Sequence, residues 1–136
     1  MIDHVSVAVR DLAAAAAFYD AVLGPLGYAR LVERERTVGF GKKYPEVWLN
    51  LREGLEPIGP GTGAHVALRT RDEAAVRAFH AAALKHGGTD AGEPGPRQAA
   101  MGPYFGAFVR DPDGNKIEAV TFPSFEAPRV AESTSG

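Results

Sequence analysis

HVSVAVRD at residues 4–11 returns as HVALRTRD at residues 65–72. An offset of 61 pairs His4 with His65, Val5 with Val66, Arg10 with Arg71 and Asp11 with Asp72. Carried further, it pairs Phe18 with Phe79, Leu23 with Leu84 and Gly27 with Gly88, so that 11 of the 25 positions from 4 to 28 are identical. Alanine matches are cheap in an alanine-rich chain; matched histidine, arginine, aspartate, phenylalanine and glycine are not. Self-similarity over this length marks the duplication of one supersecondary unit.

Each copy opens as a strand. In residues 2–9, Val5, Val7 and Val9 alternate with His4, Ser6 and Ala8; in the second copy Val66 and Leu68 alternate with His65, Ala67 and Arg69. Each strand then meets a helix start, because Asp11 and Asp72 can accept from the open N–H groups of a first turn. Thr70 with Glu73 is a competing start for the second helix. Leu12, Ala15, Ala16, Tyr19, Val22 and Leu23 recur at helical spacing before Gly24-Pro25 ends the first helix. Val76, Phe79 and Ala83 do the same ahead of Gly87-Gly88, and Phe18 and Phe79 read as core.

Further strands follow, near residues 28–33, 37–41 and 47–51 in the first copy. In the second copy a pair near 104–110 and 116–120 is joined by the turn Asp111-Pro112-Asp113-Gly114. Residues 89–102, rich in Gly and Pro, read mostly as loop, with a short strand as the alternative. The expectation is an α+β fold of two tandem βαβββ modules, forming a curved mixed sheet around a cavity with the helices outside. Residues 1–53 make the first module, 54–63 a linker, 64–122 the second module and 123–136 a poorly ordered tail.

The totals exclude several classes. With 136 residues the chain suits one compact domain or two small modules sharing a core, and a net charge of −2 gives no reason to expect a nucleic-acid partner. The absence of cysteine rules out disulfides and thiolate metal sites. No stretch approaches the roughly 20 apolar residues of a membrane span. The opening residues lack the pattern of a secretory signal. These features predict a soluble cytoplasmic protein.

The chemistry is expected on the cavity face. In the last strand Ile117 and Ala119 belong to the helix side, so Glu118 points the other way. A carboxylate in an apolar strand is costly to bury without a partner. His4 and His65 hold equivalent places in equivalent modules. If the modules pack with approximate twofold symmetry, the two imidazoles and Glu118 approach one point. Two histidines and a carboxylate with open positions form a ligand set for a catalytic divalent metal.

The chain resembles the vicinal oxygen chelate superfamily, which contains glyoxalase I, bleomycin-resistance proteins and extradiol dioxygenases. The resemblance is carried by Ile2-Asp3-His4-Val5, by Phe18-Tyr19 leading to Leu23-Gly24 and Gly27-Tyr28, and by Ala64-His65-Val66. Its most specific piece is Asp111-Pro112-Asp113-Gly114-Asn115-Lys116-Ile117-Glu118. It implies metal ligands at His4, His65 and Glu118, and a divalent cofactor such as Fe, Mn, Ni or Zn. Matching Val47-Trp48-Leu49 to Ile117-Glu118-Ala119 puts Trp48 at the family's fourth ligand position; a slip of two residues puts Asn50 there instead. The missing glutamate sets the chain apart from glyoxalase I, and the remaining two-histidine, one-glutamate set resembles that of extradiol dioxygenases. The resemblance also implies a homodimer, with ligands drawn from different subunits if modules are exchanged.

Two functions follow as expectations. One is a metal-dependent lyase, isomerase or dioxygenase acting on a small oxygenated molecule that chelates the metal. The other is a metal-free protein that sequesters a drug-like ligand, as the bleomycin-resistance branch does. Trp48, Asn50 and Phe105 are expected to line the pocket, Phe105 because a regular hairpin across a four-residue turn puts it on the face of Glu118. No general acid or base is identified; Tyr104 and Tyr44 are unsupported candidates. His80 and His86 are assigned to the solvent side or end of the second helix. Arg97 and Gln98 read as solvated, with contact to an anionic substrate as the alternative.

Overall fold

The duplication predicted by the repeated word is the fold's organising feature. The computed structural model describes residues 1–100 and 102–122; the expected tail at 123–136 lies outside them. The first module runs β1 (Val5–Val9), α1 (Leu12–Leu23), a 3-10 turn (Gly24–Leu26), β2 (Ala29–Glu33), β3 (Thr37–Gly41) and β4 (Pro45–Leu51). The second runs β5 (Val66–Arg69), α2 (Glu73–Lys85), β6 (Thr89–Ala99), β7 (Gly102–Arg110) and β8 (Lys116–Thr121). The four-stranded sheets have the orders β1-β4-β3-β2 and β5-β8-β7-β6, the same order twice. In each, the first and last strands are parallel and the other pairs antiparallel. The described strands form no closed barrel.

Both helices begin at the predicted aspartates. Asp11 accepts from the Ala14 amide at 3.0 Å and Asp72 from the Ala75 amide at 2.9 Å, which settles the second start in favour of Asp72 over Thr70. Each cap contributes about 1 kcal/mol. Helix α1 covers β2, β3 and β4, while α2 covers β6, β7 and β8, and the two helices pack on each other. Under α1 lie Val9, Val38, Phe40, Val47 and Leu49; under α2 lie Phe105, Ala107, Val109, Ile117 and Ala119. Fully burying a Val, Leu, Ile or Phe side chain contributes roughly 1.5–3 kcal/mol. The helix face of each sheet therefore holds the fold, and the opposite face is left for other chemistry.

The Asp111–Asn115 loop does more than turn the chain. The Asp111 carboxylate is buried and accepts from the Tyr19 hydroxyl at 2.7 Å, from the amides of Asp113 and Asn115, and from the Asn115 side chain. Asp113 accepts from the Arg10 guanidinium at 2.8 Å and its amide at 3.1 Å, and Asn115 donates to the Ala8 carbonyl at 2.9 Å. Tyr19, Arg10 and Ala8 belong to the first module, so this loop clasps the two modules together. Burial, reinforced by the charge of Asp113, raises the Asp111 pKa even though Tyr19 and Asn115 donate to its charged form. The same burial, with Asp111 beside it, pushes the Tyr19 hydroxyl well up.

Two expectations are corrected here. Residues 89–99 form a strand rather than a loop. Its register against β7 shifts between Asp90 and Gly92 and again between Gly92 and Gly95. Bulged edge strands accommodate the Gly and Pro that argued for a loop. The β7–β8 hairpin closes around five residues rather than four: Arg110 pairs with Lys116, and the Asp111 amide donates to the Asn115 carbonyl at 2.9 Å. One extra loop residue flips every side chain of β7 relative to β8. Phe105 accordingly lies in the core, beneath the Arg77 guanidinium of α2 at 4.9 Å, and not on the face of Glu118.

Candidate functional site

The faces turned away from the helices are read off the strand register. Ser6 pairs with Trp48 and Ala8 with Asn50 across the parallel β1–β4 ladder. In the second module Ala67 pairs with Glu118. Since Ala67 is the repeat partner of Ser6, Trp48 and Glu118 occupy equivalent places, without a two-residue slip toward Asn50. Their faces are opposite those of Val47, Leu49, Ile117 and Ala119, as alternation requires.

In the first module His4, Ser6, Arg34, Thr37, Trp48 and Asn50 line an open depression of about 230 Å³. His4 precedes β1, is half exposed, and its Nδ1 lies 2.7 Å from the Asp3 carboxylate. The Arg34 guanidinium stands 5.8 Å from the centre of the Trp48 ring.

In the second module the donors draw together. The Nε2 of His65 lies 3.4 Å from Oε1 of Glu118, with the imidazole 39% exposed and the carboxylate 4%. The other carboxylate oxygen, Oε2, accepts from the Tyr104 hydroxyl at 2.8 Å. Gly106 makes that hydrogen bond possible: a Cβ there would lie 2.9 Å from the tyrosine ring and 3.2 Å from Oε2. Burial, then the hydrogen bond and charge of Glu118, raise the Tyr104 pKa, so its proton stays on the phenol at neutral pH. Glu118 is thus a buried carboxylate with both oxygens oriented, one toward tyrosine and one toward an imidazole open to solvent.

Phe108, directly across from Glu118 on β7, completes this face. Its ring centre is 5.4 Å from that of His65, edge to face. Lys116 Nζ lies 4.6 Å from the Phe108 ring and the Arg97 guanidinium 5.2 Å. His65 and Lys116 also border a groove of about 250 Å³ between β1 and β5, together with Ser6, Ala8, Ile58 and Asn115.

His65 and Glu118 are therefore brought together, and His4, Trp48 and Asn50 line the neighbouring depression, which shares Ser6 with the groove. Among the described residues no three His, Cys, Asp or Glu side chains cluster closely enough to hold one ion, so His4 does not join the pair within one chain. Phe108 and the bonded role of Tyr104 were missed in the sequence because the hairpin was counted one residue short. Tyr44 is exposed and lines neither the depression nor the groove. His80 is a further correction: it is buried, its Nε2 is 2.8 Å from the Asp90 carboxylate, and it ties α2 to β6. That hydrogen bond, first, and the Gly92 amide lower the Asp90 pKa. His86 sits at the exposed helix end, its ring on the Ala82 carbonyl.

Comparison with other proteins agrees with this architecture. A sequence model described as "Glyoxalase/Bleomycin resistance protein/Dioxygenase superfamily" matches residues 1–119. A glyoxalase/bleomycin resistance protein from Albidiferax ferrireducens T118 is 35% identical, with a TM-score of 0.78 over 88% of this chain and 98% of that one. A glyoxalase/bleomycin resistance protein/dioxygenase family enzyme from Burkholderia phytofirmans PsJN is 19% identical, with a TM-score of 0.66 over 88% and 97% of the two chains. A V278E mutant of glyoxalase I from Zea mays shares the fold at 23% identity and a TM-score of 0.69, over 92% of this chain and 47% of that longer one. No curated protein sequence matches the chain.

Proposed function

The chain belongs to the glyoxalase/bleomycin resistance protein/dioxygenase superfamily, and on that premise we propose a metal-dependent enzyme, a lyase, isomerase or ring-cleaving dioxygenase acting on a small oxygenated molecule. The observation that carries the proposal is the approach of His65 to the buried, tyrosine-held Glu118. A carboxylate is costly to bury, and here it is aimed at a solvent-open imidazole. An imidazole and a carboxylate are ligands suited to Fe, Mn, Ni or Zn. His65 and Glu118 would hold the ion, and His4 of a second copy would supply the third donor, so the active form is a homodimer. When bound, the ion accepts neighbouring substrate oxygens and stabilises the negative charge that develops on them.

The remaining roles fall to the chain's own groups. Tyr104 is a positioning residue: its phenol, holding its own proton, donates a hydrogen bond to Oε2 of Glu118 and leaves Oε1 pointing toward His65. Phe108 limits the tilt of the His65 ring and excludes water from one side. Trp48, with Arg34 beside it, offers a flat wall for a planar substrate.

A second reading, a metal-free protein that sequesters a small ligand, is favoured by one observation: Trp48, which cannot ligate, stands where the second module has Glu118. Elemental analysis of protein purified without chelator separates the two. Stoichiometric Fe, Mn, Ni or Zn that disappears in His65→Ala supports the enzyme. Absence of metal after incubation with each ion supports sequestration.

A further inference from the structure

The depression on the first module's open face has a chemistry of its own. Its lining is His4, Ser6, Arg34, Thr37, Trp48 and Asn50, around about 230 Å³. The strand register explains why these side chains meet. Thr37 pairs with Asn50 and Gly39 with Trp48 across β3–β4, and Ser6 pairs with Trp48 across β1–β4. The Arg34 amide donates to the Thr37 carbonyl at 2.9 Å, closing the turn between β2 and β3. Arg34 is thereby held at the rim, its guanidinium 5.8 Å from the centre of the Trp48 ring.

The charge of this hollow is one-sided. No carboxylate lines it. Arg34 is exposed and takes part in no salt bridge among the described residues. The acids near it in sequence are engaged by other arginines, Glu33 by Arg30 and Glu53 by Arg36, and Asp3 is held by His4. The side chains of Ser6, Thr37 and Asn50 also lack a hydrogen-bond partner among the described residues. A guanidinium is a planar fork of donors that matches a carboxylate. The hydroxyls and the amide add donors on the same face, and the indole adds an apolar surface. A few convergent polar groups beside an aromatic wall are the make-up of a small-molecule site. One full positive charge balances a monoanion, whereas a phosphoryl dianion would be left half neutralised.

We infer that this depression binds an aromatic carboxylate: Arg34 takes the carboxylate, Thr37 and Asn50 fix its orientation, and the aromatic body lies against Trp48. Arg34 is then the residue that selects for a negative charge. For its use in catalysis the inference rests on the functional reading above, because His4 borders the depression and would carry the bound acid to the ion that His65 and Glu118 of another copy hold. Binding itself does not need the metal. Benzoate is the probe; its neutral amide, benzamide, and phenyl phosphate test the charge and the choice of carboxylate.

Trp48 is the chain's one tryptophan, so its fluorescence reports on this site alone. The test titrates the full chain, stripped of metal with chelator, at pH 7, following tryptophan emission and checking each affinity by calorimetry. Benzoate should bind saturably, and benzamide and phenyl phosphate each more weakly, the amide by about tenfold. Arg34→Gln should weaken benzoate about tenfold, and Arg34→Lys, which keeps the charge but loses the fork, by less. Arg36→Gln, in the same turn but paired with Glu53 and outside the depression, should leave the affinity unchanged. All three variants should keep the wild-type circular dichroism spectrum. The inference is overturned if neither method detects benzoate binding up to about 10 mM, or if benzamide or phenyl phosphate binds as tightly. It is equally overturned if Arg34→Gln has no effect or Arg36→Gln has the same effect. Because the protein is stripped, benzoate binding that depends on Arg34 in a chain that takes up no metal leaves the site standing and removes the metal-dependent reading. Metal uptake without benzoate binding does the reverse.

Discussion

The two modules solve one packing problem in opposite ways. Each has a cross-strand pair at the centre of its open face: Gly39 opposite Trp48 in the first, Phe108 opposite Glu118 in the second. Both pairs place one aromatic ring on the face, but the ring sits on β4 in one module and on β7 in the other. A Cβ on Gly39 would come within 2.9 Å of both the indole and the Pro45 side chain, so the strand beside the indole must be bare. Moving the ring to the neighbouring strand leaves the last-strand position open to a carboxylate. The comparison teaches that one backbone, written twice, can carry an aromatic wall in one copy and a buried carboxylate in the other.

The largest expected effect tests which face β7 presents. Phe105→Ala should destabilise the protein by about 3–5 kcal/mol, because it empties a core site under α2. Phe108→Ala, three residues on and half-buried, should cost about 1 kcal/mol and act on ligand binding instead. Urea denaturation of both variants checks this, and equal losses would break the assigned register.

Next comes the bare strand of the first module. Gly39→Ala should cost about 1–3 kcal/mol through overpacking against Trp48 and Pro45. In the double variant Gly39→Ala/Trp48→Ala much of that loss should vanish. A double-mutant cycle read by thermal melts measures the coupling.

The clasp that joins the modules should matter to a similar or smaller degree. Asp111→Asn places an amide donor against the donors already gathered there and should cost about 1–3 kcal/mol. Its pH dependence has a defined sign. Burial raises the folded pKa of Asp111, so the folded state binds this proton more tightly than the unfolded one. The stability gap between wild type and Asp111→Asn should therefore widen as pH falls from neutrality through the raised folded value, and become constant below the unfolded value of about 3.9. Stability curves measured at stepped pH would contradict this if the gap closed on acidification.

The smallest expected effect belongs to Tyr104. Tyr104→Phe should lower metal affinity about tenfold, the usual cost of removing a group that orients a ligand, and cost about 1 kcal/mol of stability, the lower end of the penalty for leaving a buried acceptor without its donor. Rescue cannot come from the first module, where Trp48 offers no equivalent oxygen. Metal competition with a fluorescent chelator reads the difference.

Much of this arrangement was legible in the residues. The repeat gave the two modules and the identical strand orders, and alternation in the last strands put Trp48 and Glu118 on one kind of face and their neighbours on the other. The part that was not legible turned on loop closure. Counting Asn115 as strand makes the turn four residues long and sends Phe105 to the pocket. Its actual hydrogen bonds, to Asp111 and to Ala8 across the module boundary, keep it in the loop, and they depend on contacts 107 residues away in sequence. Residues 89–99 hid a strand for a related reason: glycine and proline at bulges on an edge look like loop composition until the partner strand is known. His80 was misassigned because its partner Asp90 lies on that same unrecognised strand.

The central claim is that His4 and His65 ligate one ion with Glu118. The most direct measurement loads the protein with Mn(II) and counts coordinated imidazole nitrogens by pulsed electron paramagnetic resonance. Two are expected in the wild type, and one in each of His4→Ala and His65→Ala. Absence of imidazole coupling in the wild type, or a count that His4→Ala leaves unchanged, would contradict it.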